Sequence, residues 1–314
     1  MPSRYRQHLP QLTGELFLTD GGIETTLVFH DGVELPYFAA FDLLKDASGT
    51  AVLRAYFERY ARLARAQELG LVLEAPTWRA NADWAARLGY APAALAAANR
   101  RAIALLVEVR EAHERPDTPI VISGNLGPRG DGYRPGQTMT VSAARSYHSA
   151  QIETFAASEA DLVSAFTMNY PQEAIGIALA ARAAAMPVVI SFTTETDGRL
   201  PSGATLGEAI AATDDASGGY PAYYMINCAH PEHLIPALAH GGEWRERIRG
   251  LRANASRRSH AELDESTDLD VGDPGELGRQ YAELRALLPR LTVVGGCCGT
   301  DHRHVEAVGM AMVG

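Results

Sequence analysis

The chain has 314 residues, of which 46% are hydrophobic and 21% charged. That balance supports a sizeable core and excludes general disorder. The 28 Lys and Arg against 38 Asp and Glu leave a formal net charge of −10, which repels a phosphate backbone and argues against nucleic acid as a partner.

No apolar run is long enough for a membrane helix. The opening segment MPSRYRQHLPQLTGE lacks the apolar stretch of a signal peptide. A cytoplasmic address follows as the expectation, with small molecules rather than nucleic acid or membrane as partners and a homo-oligomer left open.

The chain alternates strand and helix. Strands are predicted at 15–19, 71–75, 119–123, 160–166, 187–191, 222–227, 247–253 and 291–295. The helices that follow them are predicted at 50–69, 91–113, 141–158, 171–185, 205–213, 231–239, 274–288 and 301–312. Eight strand–helix pairs are the count of a single-domain (β/α)8 TIM barrel spanning 1–314. An open doubly wound sheet is the alternative, and the count of eight favours the barrel.

Active sites of such barrels lie at the C-terminal ends of the strands. The special residues fall there: Asp20-Gly21-Gly22 after strand 1, Glu74 ending strand 2, and Asn125 after strand 3. Asn227-Cys228 follows strand 6, Asn254 follows strand 7, and Cys297-Cys298 follows strand 8. Closure makes strands 1 and 8 neighbours, so Asp20 is expected beside the cysteine pair.

All three cysteines thus end strands on one rim. Three thiolates with one open position suit a catalytic zinc ion, which favours soft ligands in a tetrahedron. Consecutive strand residues point to opposite faces, and Gly295, Gly296 and Gly299 are expected to supply the backbone freedom that turns both adjacent sulfurs to one metal. Taken singly, Cys228 also reads as a buried apolar thiol. The vicinal pair alone also reads as inert or as a redox pair, although adjacent cysteines rarely meet disulfide geometry.

The segments LTDGGIETTL, GNLGPRG, YHSAQIETFAASEADLVSAFT, VVISFTTETDGRLPSG, INCAHPEHL and VVGGCCGTDHRHVEAV together resemble the homocysteine S-methyltransferase family along nearly the whole chain. The most specific elements are Asn-Cys-x-x-Pro from Asn227 and Gly-Gly-Cys-Cys-Gly-Thr from Gly295. The resemblance implies a (β/α)8 barrel whose zinc is held by Cys228, Cys297 and Cys298. It also implies methyl transfer to a thiol, typically homocysteine, giving methionine. Asp20 is then a catalytic and substrate-binding residue near the amino acid, with Gly21 and Gly22 allowing close backbone approach.

Glu74, Asn125 and Thr193 are rim candidates for substrate contact. Asn227 is a candidate to orient the metal loop, to fill the vacant position, or simply to bond at the strand end. His230, His302 and His304 read as surface or supporting groups, and Tyr147, His148 and Gln151 as packing and helix-positioning residues. With no dinucleotide fingerprint and no folate or cobalamin module in view, the implied donor is a small molecule of S-methylmethionine or S-adenosylmethionine type.

One departure stands out. The family usually carries a Glu after strand 4 that holds the substrate ammonium, and Phe166 occupies that position here. Either another acid such as Glu195 or Asp20 takes the ammonium, or the acceptor is a different thiol. Two other readings of the same residues are a zinc-dependent lyase or hydrolase, and a non-catalytic zinc protein.

Overall fold

The computed structural model describes residues 3–266 and 268–314. Eight parallel strands close into a barrel in sequence order: β1 (Phe17–Leu18), β2 (Gly70–Glu74), β3 (Ile120–Leu126), β4 (Leu162–Met168), β5 (Val188–Thr193), β6 (Tyr223–Asn227), β7 (Ile248–Ala253) and β8 (Val293–Gly296). Pairing of Phe17 with Val293 and Leu18 with Val294 closes the ring. The open doubly wound sheet is thereby excluded.

Among the described residues, ten α-helices surround the strands: α1 (Ala47–Ala66), α2 (Ala82–Arg87), α3 (Pro92–His113), α4 (Val141–Ala156), α5 (Pro171–Ala183), α6 (Leu206–Ser217), α7 (Pro231–Ala239), α8 (His260–Glu265), α9 (Pro274–Leu284) and α10 (His302–Val313). Their starts follow local chemistry. Asp46 caps α1 by accepting from the Gly49 amide at 2.8 Å, so this helix begins three residues before the apolar pattern that announces it. Thr205 and Glu208 form a capping box on α6, and Gly218 ends it at φ +68°. The short helices α2 and α8 went unread, because neither has enough turns for an apolar period to register. Among the described residues, no helix is long and apolar enough to cross a membrane.

Strand alternation divides the core in two. Leu71, Leu73, Ile120, Ile122, Val163, Ile190, Tyr224, Ile226, Leu251 and Val294 face the helix layer. The alternate positions fill the barrel: Phe17, Val72, Val121, Leu162, Val189, Tyr223, Met225 and Val293, with Leu9 entering from below. Gly250 is the inward position of β7, where a Cβ would collide with Met225. One inward step further along the strands the character changes. Glu74, Ser123, Ser164, Ser191, Asn227 and Arg252 are all buried, and the barrel ends in a polar layer beneath its C-terminal rim.

The lower end is fastened by Asp161, just before β4. Its carboxylate accepts from the amides of Tyr5 (2.7 Å) and Ile122 (2.9 Å) and from the Arg110 guanidinium (2.9 Å). Removing a buried partner leaves the opposite charge uncompensated. Asp161→Ala should therefore destabilise the protein by about 3–5 kcal/mol, read as a lower urea midpoint with an unchanged slope. A loss within the range of ordinary surface substitutions would show that the N-terminal segment is not held by this carboxylate.

Candidate metal centre

Cys228 ends β6, and Cys297 and Cys298 follow β8. The strand between them, β7, sets their height: the Cys228 amide donates to Arg252 O at 3.0 Å and the Cys297 amide to Ala253 O at 2.8 Å. Cys228 and Cys297 have Cα atoms 5.4 Å apart with their sulfurs in contact. The Cys298 sulfur completes a group in which all three lie within 4.8 Å of one another. Three soft donors so close, one buried and two partly exposed, fit a thiophilic divalent ion such as zinc, and the set leaves one tetrahedral position free. A disulfide would use only two of the three.

The geometry is bought with local strain. Cys228 has φ +56°, a left-handed conformation unusual for a side chain with a Cβ. The Asn254 amide holds its carbonyl at 3.1 Å. Asn227 does more. Its Nδ2 donates to the Cys228 sulfur at 3.1 Å and to Thr167 Oγ1 at 3.0 Å, while its Oδ1 accepts from the Thr167 amide at 2.9 Å and from Ser191 Oγ at 2.6 Å. Thr167 is itself left-handed, at φ +62°, where β4 carries a register shift. One buried amide thus ties both strained residues together and aims a donor at a sulfur.

The glycines of the strand 8 turn correct the sequence expectation in part. Gly299 is left-handed, at φ +79°, as the turn of adjacent sulfurs requires. Gly295 and Gly296 have no such conformation. They are needed for space, because a Cβ would run into Thr19 and Thr300 respectively. Gly22 is another close approach: a Cβ there would stand 2.6 Å from Cys297 O.

Asp20 lies beside strand 8 as expected, with its carbonyl accepting from the Gly296 amide at 3.0 Å. Its buried carboxylate is already committed. Oδ2 accepts from Tyr56 OH at 2.8 Å and Oδ1 from Arg252 Nη1 at 2.5 Å. Arg252 Nη2 also donates to Gly21 O at 3.1 Å. The guanidinium thus crosses the barrel mouth from β7 towards β1, and it lies 5.1 Å from the Phe166 ring centre on β4.

Glu74 shares this layer. Its Oε1 accepts from Ser164 Oγ at 3.1 Å, while Oε2 has no partner. Burial pushes the Glu74 carboxyl up to about 7, with Arg252 pulling the other way. Glu24, recessed after the Gly21-Gly22 turn, is likewise raised by burial to about 6.

The remaining candidates spread around the rim. Asn125 and Thr193 each leave a buried side-chain oxygen without a partner. Glu195 lies off the central layer, on a narrow cleft shared with Cys228, His230, His233, Asn254 and His260. His230 caps α7 by accepting from the Glu232 amide at 3.3 Å, and burial lowers it to about 4. His304 bonds Asp301 and Val271 O, a helix-start role, and His302 is partly buried nearby. Tyr147, His148 and Gln151 bond Asn81, Glu173 and Asn99, tying α4 to its neighbours.

Three residues were missed in the sequence: Arg252, Tyr56 and Tyr133. Tyr133 stacks on His260 with ring centres 4.1 Å apart, and its hydroxyl lies 3.7 Å from the Cys298 sulfur. Only Arg252 carried a partial signal, as one of two arginines of opposite parity on β7, the other being Arg249.

Residues 17–312 match the homocysteine S-methyltransferase family. The homocysteine methyltransferase MmuM from Escherichia coli in its metallated form superposes with a TM-score of 0.76 at 19% identity, covering 97% of this chain and 98% of that one. Its oxidised form gives 0.76 at 21% identity, covering 98% and 99%. The apo form gives 0.69 at 20% identity, covering 98% and 100%. No curated protein sequence matches significantly.

The Glu74 shift carries a pH signature. From an ordinary value of 4.5 raised to about 7, the folded protein keeps a proton that the unfolded chain releases. Stability from this group is therefore full below about 4.5 and falls as pH rises towards about 7, by about 3 kcal/mol in all. Glu74→Gln does not titrate, so its stability relative to wild type should rise across that window in urea titrations at successive pH values. A pH-independent difference would mean that Glu74 is not held protonated.

Proposed function

The chain belongs to the homocysteine S-methyltransferase family, and on that premise we propose that this methyltransferase moves a methyl group from a small sulfonium donor, of S-methylmethionine or S-adenosylmethionine type, to the thiol of homocysteine. Cys228, Cys297 and Cys298 would hold a zinc ion for this reaction. The observation that carries the reading is the convergence of three sulfurs, from two different strand ends, within 4.8 Å.

A free thiol is only about 3% thiolate at pH 7. Zinc bound at the three cysteines supplies a soft Lewis acid that keeps the acceptor sulfur deprotonated, a gain of about 2 kcal/mol. The transfer itself needs no protein nucleophile. A lone pair on the acceptor sulfur forms the new bond to the methyl carbon as the donor's carbon–sulfur bond breaks. That electron pair returns to the donor sulfur, which leaves as a neutral thioether.

The protein's part is placement. Asn227 fixes the Cys228 sulfur by its 3.1 Å hydrogen bond. Phe166, buried below the rim, keeps water from the layer beneath the cysteines, and Tyr133 lies against Cys298 from above. A lyase or hydrolase would need a free general base beside the metal. His230, the nearest histidine in sequence to Cys228, has its Nδ1 occupied as a helix cap and is lowered by burial to about 4, which makes it a weak base.

Purified protein should contain about one zinc per chain, and each of Cys228→Ser, Cys297→Ser and Cys298→Ser should lower zinc affinity by about tenfold or more and abolish transfer. Full zinc retention in all three variants would sink the assignment. Asp20→Asn should keep its zinc and lose roughly 10- to 100-fold in kcat/KM, because a charged hydrogen bond in the mouth is weakened while the sulfurs are untouched. Zinc lost in parallel with activity would instead make Asp20 a support of the metal site.

A further inference from the structure

The polar layer under the cysteines holds one guanidinium, and we propose that Arg252 reads the acceptor by its carboxylate, making the substrate class short mercapto-carboxylates whose amino group is dispensable. This assignment rests on the methyl-transfer reading above and goes beyond it in naming the group that is recognised and the residue that recognises it.

Position comes first. Arg252 is the inward residue of β7 next above Gly250. Its backbone carbonyl accepts from the Cys228 amide at 3.0 Å, so the side chain starts directly beside the sulfur group. From there it reaches across the mouth to Asp20 and passes 5.1 Å from the Phe166 ring centre. On this assignment an acceptor with its sulfur among the cysteines extends its tail towards this guanidinium.

The second argument is a count of donors and acceptors. A guanidinium has five N–H donors and no acceptor. Two hydrogen bonds engage Arg252, one to Asp20 Oδ1 and one to Gly21 O, which leaves its remaining donors for an acceptor in the mouth. A carboxylate meets the planar fork with two oxygens. An ammonium group offers only donors of its own. Each oxygen of Asp20 already accepts one hydrogen bond, Oδ2 from Tyr56 and Oδ1 from Arg252, so an ammonium there competes with the guanidinium for the same carboxylate, and Phe166 supplies no acid on the β4 side.

Three thiols of matched length test this on the zinc-loaded enzyme: homocysteine, its des-amino analogue γ-mercaptobutyrate, and its des-carboxyl analogue 3-aminopropanethiol. γ-Mercaptobutyrate should match homocysteine within roughly threefold in kcat/KM, and the amine should fall about 100-fold or more below both. Arg252→Met should raise KM for both acids by roughly 30-fold while changing kcat little, and should narrow the gap to the amine. Arg252→Lys keeps the charge without the fork and should recover part of the preference, which also serves if the Met variant does not fold.

A loss of about tenfold or more on removing the amino group, or equal use of the amine, overturns the assignment. Calorimetry separates it from the reading on which it rests. The thioethers γ-(methylthio)butyrate, methionine and 3-(methylthio)propylamine need neither metal nor donor to bind. If both carboxylates bind well and the amine does not, while no donor methylates any thiol, methyl transfer fails and the role of Arg252 stands. If transfer proceeds and the amine binds as well as the acids, Arg252 is not the reader.

Discussion

Everything at the rim depends on a ring closed by very little. β1 contributes two residues, Phe17 and Leu18, to its pairing with β8. Backbone bonds on either side extend the contact: Phe17 N to Thr292 O at 2.7 Å, Thr19 N to Val294 O at 2.8 Å, and Gly296 N to Asp20 O at 3.0 Å. That closure sets the Asp20 carboxylate against Arg252 and brings Gly22 close to Cys297 O, and it forbids side chains at Gly22 and Gly295. A parallel barrel has no free edge along which to slide, so the register at this one seam fixes the relation between the first and last functional segments of the chain.

The barrel divides its work by height. Its lower interior is apolar and plugged by Leu9, where burial stabilises the fold. Its upper interior holds Glu74, Asn227 and Arg252 out of water, where burial is unfavourable unless each group finds partners. Asn227 finds four, and both of its amide atoms are used. Glu74 leaves one oxygen unpartnered, and its burial pushes the carboxyl up to about 7. Stability is drawn from one end of the barrel and spent at the other.

The fold was legible in the sequence because its signal is repetitive. Eight apolar runs, each followed by a helix-length segment, match the eight strands to within about three residues at their ends. The sulfur group was legible because all three cysteines stand at strand ends, which a barrel gathers on one rim. Arg252 was not, since its importance lies in reaching from β7 to a carboxylate on the far side of β8, a pairing that no local pattern encodes. Tyr133 was hidden for a similar reason: it sits in a loop after β3 and acquires meaning only through His260 and Cys298. Nor did the sequence distinguish glycines required for conformation from glycines required for space, because both write the same letter.

The charges of the mouth follow one logic. Glu24 and Glu74 share the mouth with Asp20, and burial in a poorly hydrated space opposes the ionisation of both glutamates. The polar partners of the three acids differ. Asp20 is bonded to a guanidinium and a tyrosine hydroxyl. Glu74 has one serine bond and a distant pull from Arg252, and is raised to about 7. Glu24, raised to about 6, is influenced by Arg79 as well as Arg252. Arg79 is itself packed 4.0 Å from the Trp78 ring centre and 3.8 Å from that of Trp84, which restricts its reach. Arg252 is the cation that all three acids share. Its place beside Phe166, where a carboxylate would instead have attracted a cation, shifts the balance of the mouth from acceptors towards donors.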